Sequence, residues 1–151
     1  MPNAILLRNP RALLVPDVIK LVNRAVKSVP LLELTELDGA AAQEFFDYCT
    51  DENSFLFLGF EDGHAHALMM GYFPTSALFP YPVISLIYNE GSKALLRIVV
   101  NEWQALLTSR GYSRTWALNG SGRSDAAWLR CLLPDDWTGK KIASMMELTL
   151  K

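Results

Sequence analysis

Between Pro82 and Gly111 an apolar run, Pro-Val-Ile-Ser-Leu-Ile-Tyr, passes through five polar residues, Asn89-Glu90-Gly91-Ser92-Lys93. It continues as Ala-Leu-Leu-Arg-Ile-Val-Val-Asn-Glu-Trp-Gln-Ala-Leu-Leu. The first part is strand-like and the last repeats apolar residues at helical spacing, which predicts a strand over Pro82–Tyr88 feeding a helix over Ser92–Ser109. Gly111 stands where a left-handed C-terminal cap is wanted. A strand entering a helix through Gly-Ser also presents backbone N–H groups and the positive end of the helix dipole to an anion, most often a phosphate.

The flanking sequence supplies the remaining layers. Ala4–Leu7 reads as a short strand followed by an Arg-Asn-Pro-Arg turn. Pro16 suits the first position of a helix on which Val18, Leu21, Val22, Ala25 and Val26 recur up to Lys27, and Pro30 ends it. Asp38 is the expected N-cap of a second helix, Gly39–Tyr48, with Phe45 and Phe46 facing inward. From Ser54 the period changes to that of strands. Phe55–Glu61 and His64–Phe73 flank Asp62-Gly63, a strong hairpin signal. Residues 74–82 hold three prolines and several aromatics and read as a loop. Tyr112–Leu118 is rich in β-formers, Asn119–Arg123 is a polar loop, and Ser124 or Asp125 caps a helix through Leu133. Ile142–Leu150 reads as a last strand with Ile142, Met145 and Leu148 or Leu150 in the core. The order is (β)ααβββαβαβ: an α/β chain, with a mixed, mostly antiparallel sheet and helices on both faces, forming one domain over residues 1–151.

Half of the residues are hydrophobic and the formal net charge is −2. That is a globular composition without the basic footprint of a nucleic-acid binder, so no nucleic-acid partner is expected. No apolar run approaches the roughly 20 residues of a membrane span, and the N-terminus lacks the parts of a secretory signal. A soluble, cytoplasmic chain is the expectation, with Cys49 and Cys131 reduced and buried.

Several motifs carry chemistry on one reading and none on another. The Asn89–Lys93 turn is either a phosphate cradle or a tight turn capped by Ser92. Gly91-Ser92-Lys93 has the wrong order for a P-loop, and no glycine stands five residues upstream. Tyr88 and Glu90, at the end of the strand, are candidates for proton transfer or ordinary strand-end residues; Glu61 is a weaker candidate. His64 and His66 share a strand face, but nothing at recognisable spacing completes a metal site, so no metal is expected. Gly-x-Ser-x-Gly is absent, which removes that hydrolase class. The aromatic loop Phe73–Tyr81 is a candidate wall for an acceptor or a cover for the sheet. Trp128 and Trp137 are candidate exposed anchors for a protein partner.

The element order, together with Glu90-Gly91-Ser92-Lys93-Ala94-Leu95-Leu96, Arg110-Gly111-Tyr112 and the run Ala126–Arg130 closed by Asp136-Trp137, resembles the GNAT family of acyl-CoA N-acyltransferases over roughly residues 16–150. The resemblance implies acetyl-CoA or another acyl-CoA as cofactor and a small-molecule or protein amine as acceptor. It implies that the fourth strand, including Ile87, pairs with the pantetheine amides. Asn89, Glu90, Gly91, Ser92, Lys93 and Ala94 would hold the pyrophosphate, and Asn119 would bond the pantetheine arm. It also implies a general base, for which Glu90 is the candidate, with Tyr88 as a second proton-transfer group, and direct transfer without a covalent enzyme intermediate. The family's arginine-and-glycine loop signature is absent here, and the position of its fourth-helix tyrosine falls near Cys131 or Leu132. The alternative is therefore a catalytically idle GNAT-like protein that binds or inhibits a protein partner. A small chain with such a reduced pattern also resembles proteins carried by bacterial viruses.

Overall fold

The computed structural model describes residues 1–29, 39–120, 123–134, 136–143 and 146–150. Five strands form one sheet in the order β1 (Asn3–Leu6), β2 (Ser54–Glu61), β3 (His64–Tyr72), β4 (Val83–Asn89) and β5 (Trp116–Ala117). The first four are antiparallel neighbours, and β5 joins β4 in parallel. The β2–β3 turn has Asp62 at φ 55° and Gly63 at φ 78°, two left-handed residues whose twist matches that of the hairpin, as the Asp-Gly pair predicts.

Helices α1 (Pro16–Lys27) and α2 (Gly39–Thr50) cover one face, and α3 (Lys93–Ser109) and α4 (Asp125–Leu132) the other. Every apolar residue that set the period of α1 is buried: Val18, Leu21, Val22, Ala25 and Val26. They meet Leu56, Leu58, Leu68, Met70 and the α2 residues Phe45 and Cys49. Phe46 is partly buried against the same cluster, and the expected cap Asp38 lies outside the described residues. On the other face Leu95, Val99, Val100, Trp103 and Leu107 of α3 pack on Phe55, Phe57, Met69 and Ile84. Ser92 caps α3, its hydroxyl accepting from the Leu95 N–H at 3.1 Å, and Ser124 caps α4 by accepting from the Ala127 N–H at 3.3 Å.

Five expectations need correction. Pro10–Leu14 is a short 3-10 helix rather than only a turn, because the Asn9 side chain accepts from the Arg11 N–H. The strand expected over Tyr112–Leu118 shrinks to Trp116–Ala117. Tyr112 instead stacks on Phe73, and the Thr115 hydroxyl takes the Pro82 carbonyl at 2.9 Å. The last strand, Ile142–Leu150, does not form among the described residues, where Ile142, Met146, Leu148 and Leu150 are all exposed. Alternation marks an amphipathic strand but cannot supply a partner, and β5 offers only two residues of ladder. Met145 lies outside the described residues. Cys131 is exposed on α4, whereas Cys49 is buried, its thiol pushed up to about 11 by desolvation. Trp128 and Trp137 are not exposed anchors: Trp128 is buried, and Trp137 packs on Trp103 with ring centroids 5.3 Å apart. Among the described residues no helix is long and apolar enough to cross a membrane.

Candidate functional site

Strand β4 is paired on both sides only at its beginning. Its ladder with β5 consists of Val83↔Trp116 and Ile84↔Ala117, closed by the Leu118 N–H on the Ile84 carbonyl at 3.0 Å. On its other side β4 stays with β3 as far as Asn89↔Ala67. Leu86–Asn89 therefore have a β3 partner and, among the described residues, no β5 partner, so the two parallel strands part. The parting begins at a bulge. Met70 faces Leu86 and Gly71 faces Ile84, which leaves Ser85 as an extra residue on β4. The Ser85 hydroxyl bonds the Met70 carbonyl at 3.2 Å and lies 3.3 Å from the Tyr48 hydroxyl of α2. Sequence reading missed both hydroxyls.

At the far end of β4 the candidates Tyr88 and Glu90 come together. The Tyr88 hydroxyl donates to Glu90 Oε2 at 3.0 Å. The same carboxylate is gripped by Arg24 of α1, through Nε to Oε2 at 2.7 Å and through Nη2 to Oε1, and His66 Nδ1 lies 3.6 Å from Oε1. The Arg24 hydrogen bonds hold the Glu90 carboxyl below the usual glutamate range despite partial burial. Burial, and then the hydrogen bond to Glu90, push the Tyr88 phenol above its usual value, so it keeps its proton at neutral pH. Arg24 had no sequence signal: it sits on the polar side of an amphipathic helix, 66 residues from its partner. His64 belongs to a different contact, with Asp17 at 3.6 Å.

Because the Glu90 pKa is lowered by folding, its stabilising contribution is complete above the ordinary glutamate value of 4.5 and disappears as pH falls through the depressed one. Arg24→Gln is expected to lower stability by at most about 1 kcal/mol at neutral pH, the range of partly exposed pairs. The gap between the urea midpoints of wild type and variant should be widest at pH 7 and should narrow as pH falls below the ordinary glutamate value of 4.5. A gap that stays constant with pH would show that the pair contributes through packing alone.

The turn into α3 is held by its own side chains. The Gly91 N–H donates to Asn89 Oδ1 at 3.0 Å, and the Glu90 N–H donates to the His66 carbonyl at 2.9 Å. The Ser92 N–H donates to Glu61 Oε2 at 3.0 Å, a bond that lowers the Glu61 pKa. Glu61 thus acts as a resident anion at the helix start. A Cβ on Gly91 would stand 2.8 Å from both Glu61 Oε2 and Leu95 Cδ2, the ends of two flexible side chains that would have to shift. Lys93 and Ala94 form the first turn of α3, where backbone N–H groups have no partner within the helix. Ile87 is partly buried against the α3-side cluster. Asn119 leaves β5 and folds back, its side-chain amide donating to the Arg123 carbonyl and to Asp125 Oδ1, both at 3.0 Å. The loop after β5 is tied to the start of α4 by these two bonds.

No protein-family model matches the chain, and comparison with curated protein sequences gives no match. Solved structures match it over nearly its whole length. The aminoglycoside antibiotic 6'-N-acetyltransferase AAC(6')-Ih from Acinetobacter baumannii superimposes with a TM-score of 0.68 at 12% identity, covering 100% of both chains. AAC(6')-Iy, solved with a bisubstrate analogue containing coenzyme A, gives 0.63 at 11% identity, with 98% of this chain and 99% of that chain covered. The ribosomal-protein-alanine N-acetyltransferase from Brucella melitensis biovar Abortus 2308 gives 0.60 at 12% identity, over 96% of this chain and 100% of that one. An antiparallel meander, a parallel fifth strand that parts from the fourth, and this full-length agreement lead to one conclusion: the chain has the GNAT acetyltransferase fold, carried by a strongly diverged sequence.

Proposed function

We propose that this chain is an N-acyltransferase that moves an acetyl or other acyl group from an acyl-CoA to an amine. The observation that carries the proposal is the parting of β4 from β5 after Ile84. A strand edge opened inside a sheet leaves backbone groups that an amide-containing chain such as pantetheine can pair with. Ile87 and its β4 neighbours would take that role. The Lys93 and Ala94 N–H groups at the start of α3, with the Lys93 ammonium, suit a pyrophosphate. The bound thioester supplies an acyl group already activated for attack, so the protein needs no nucleophile of its own.

Within the site, Tyr88 holds its proton on Oη and is the natural proton donor of the pair. Glu90, kept ionised by Arg24, fixes the direction of that hydroxyl. A carboxylate held this low is a weak base, so the amine is expected to lose its proton to water near the site.

Calorimetric titration of acetyl-CoA into the protein tests the reading, and saturable binding is expected. No binding at millimolar ligand would overturn it in favour of a GNAT-like binding protein. Glu61→Ala sharpens the test by removing the resident anion and freeing the Ser92 N–H. It should tighten acetyl-CoA binding about two- to fivefold, the worth of one charge at a helix N-terminus. Unchanged affinity would place the pyrophosphate away from this turn.

A further inference from the structure

On the α1–α2 side of the sheet a cavity of about 360 Å³ opens beside the first residues of β4 and β5. Its walls are Tyr72, Phe79, Tyr81 and Trp116, with Val83 and Leu118 at its base. Trp116 is the centre of the aromatic group: Phe79 and Tyr81 stand edge-on to it, with centroids 6.2 and 5.6 Å away and planes at 78° and 73°. These rings are not sealed into the core. Phe79 is 63% exposed, Tyr72 42% and Leu118 45%.

The cavity adjoins the parting of the strands. Val83, in its base, is paired with Trp116, and Leu118 makes the last bond of the β4–β5 ladder. A molecule seated here reaches the gap by passing one residue along β4. Its size falls in the range of small-molecule sites.

The charge of the cavity is as informative as its shape. None of the described residues lining it is acidic or basic. Arg114 stands beside it, its Nη1 3.4 Å from the Tyr81 hydroxyl and its guanidinium 5.9 Å from the Tyr81 ring centre. Arg114 precedes β5, so it stands at the end of the cavity away from the gap. Among the described lining residues a polycation would find no carboxylate, and an ammonium at the Arg114 end would meet a like charge, a desolvation and repulsion cost. A single ammonium can instead be set over the face of one of these rings, which attracts it.

Resting on the acyltransferase reading, we infer that the acceptor is a primary monoamine with an aromatic or bulky apolar body. The body stacks among Phe79, Tyr81 and Trp116, and the amine points along β4 into the gap. The acceptor class therefore differs from the aminoglycosides named for several structures of the same fold.

The experiment compares 2-phenylethylamine with kanamycin, each titrated calorimetrically into wild type, Phe79→Ala and Trp116→Ala, alongside acetyl-CoA. Phe79 is exposed, so its truncation leaves the fold intact, and a thermal melt checks this. Saturable binding of 2-phenylethylamine is expected, weakened about fivefold by each variant, with no binding of kanamycin. With acetyl-CoA added, free thiol should then appear in the presence of 2-phenylethylamine only. If acetyl-CoA binds and 2-phenylethylamine does not, or binds equally well to both variants, the acceptor assignment is overturned alone. Kanamycin binding as tightly as 2-phenylethylamine overturns it too. If acetyl-CoA fails to bind, the parent reading falls and the assignment of an acceptor falls with it.

Discussion

Trp103→Ala should lower stability by about 3–5 kcal/mol, the cost of removing a large buried aromatic and leaving its cavity. Trp103 is 1% exposed and sits in the middle of the face that α3 lays on the sheet, among Phe55, Phe57, Val99 and Leu107. Its ring also meets Trp137, so the substitution removes the contact that fastens the segment after α4 to α3. Trp103 Nε1 is buried and has no hydrogen-bond partner among the described residues. A buried donor without a partner costs about 1–3 kcal/mol. Trp103→Phe removes that donor together with part of the ring, so its net cost should be below about 1 kcal/mol despite the lost volume. Urea midpoints of the two variants make the comparison. If phenylalanine is as damaging as alanine, shape rather than the orphaned donor governs this position.

The parts of the fold that the sequence made legible are those fixed within a few residues. Asp62-Gly63 sets its own turn, Ser92 caps the helix it precedes, and the apolar stripe of α1 follows from spacing alone. The strand–turn–helix between Pro82 and Gly111 was readable for the same reason, and it located Tyr88 and Glu90. What sequence could not supply was partnership. Arg24 is an ordinary polar-face residue until α1 is laid across the end of β4. Glu61 is a hairpin-flank carboxylate until the turn into α3 brings the Ser92 N–H to it. The same limit produced the two overlong strands. Tyr112–Leu118 and Ile142–Leu150 have the composition and period of strands, but a ladder needs an open edge in register, and among the described residues neither run finds more than two residues of one.

Gly71→Ala is the substitution that joins stability to the proposed chemistry. A Cβ at Gly71 would stand 2.0 Å from the Val83 carbonyl oxygen and 2.5 Å from Phe55 Cζ. The first neighbour is backbone, which cannot rotate away, so β3 and β4 must separate. The expected cost is about 3 kcal/mol, at the upper end of overpacking. Gly71 also faces Ile84 at the bulge that leaves Ser85 over, and Ile84 is the last β4 residue paired with β5. Pushing the strands apart there alters the bend that opens the gap, and acetyl-CoA affinity should fall more than about tenfold. Gly59→Ala is the matched control. Its Cβ would meet Ala67 Cβ and Val99 Cγ2 at 2.9 Å, side-chain atoms of β3 and α3 remote from the β4–β5 ladder. It should cost about 1 kcal/mol and lower acetyl-CoA affinity far less than Gly71→Ala does, because the side-chain ends of Val99 and Leu95 can give by a few tenths of an ångström. Equal losses of affinity in the two variants would mean that global loosening, not the geometry at the bulge, controls the gap. A loss confined to Gly71→Ala would tie the opening of the sheet to a position where a side chain would meet backbone.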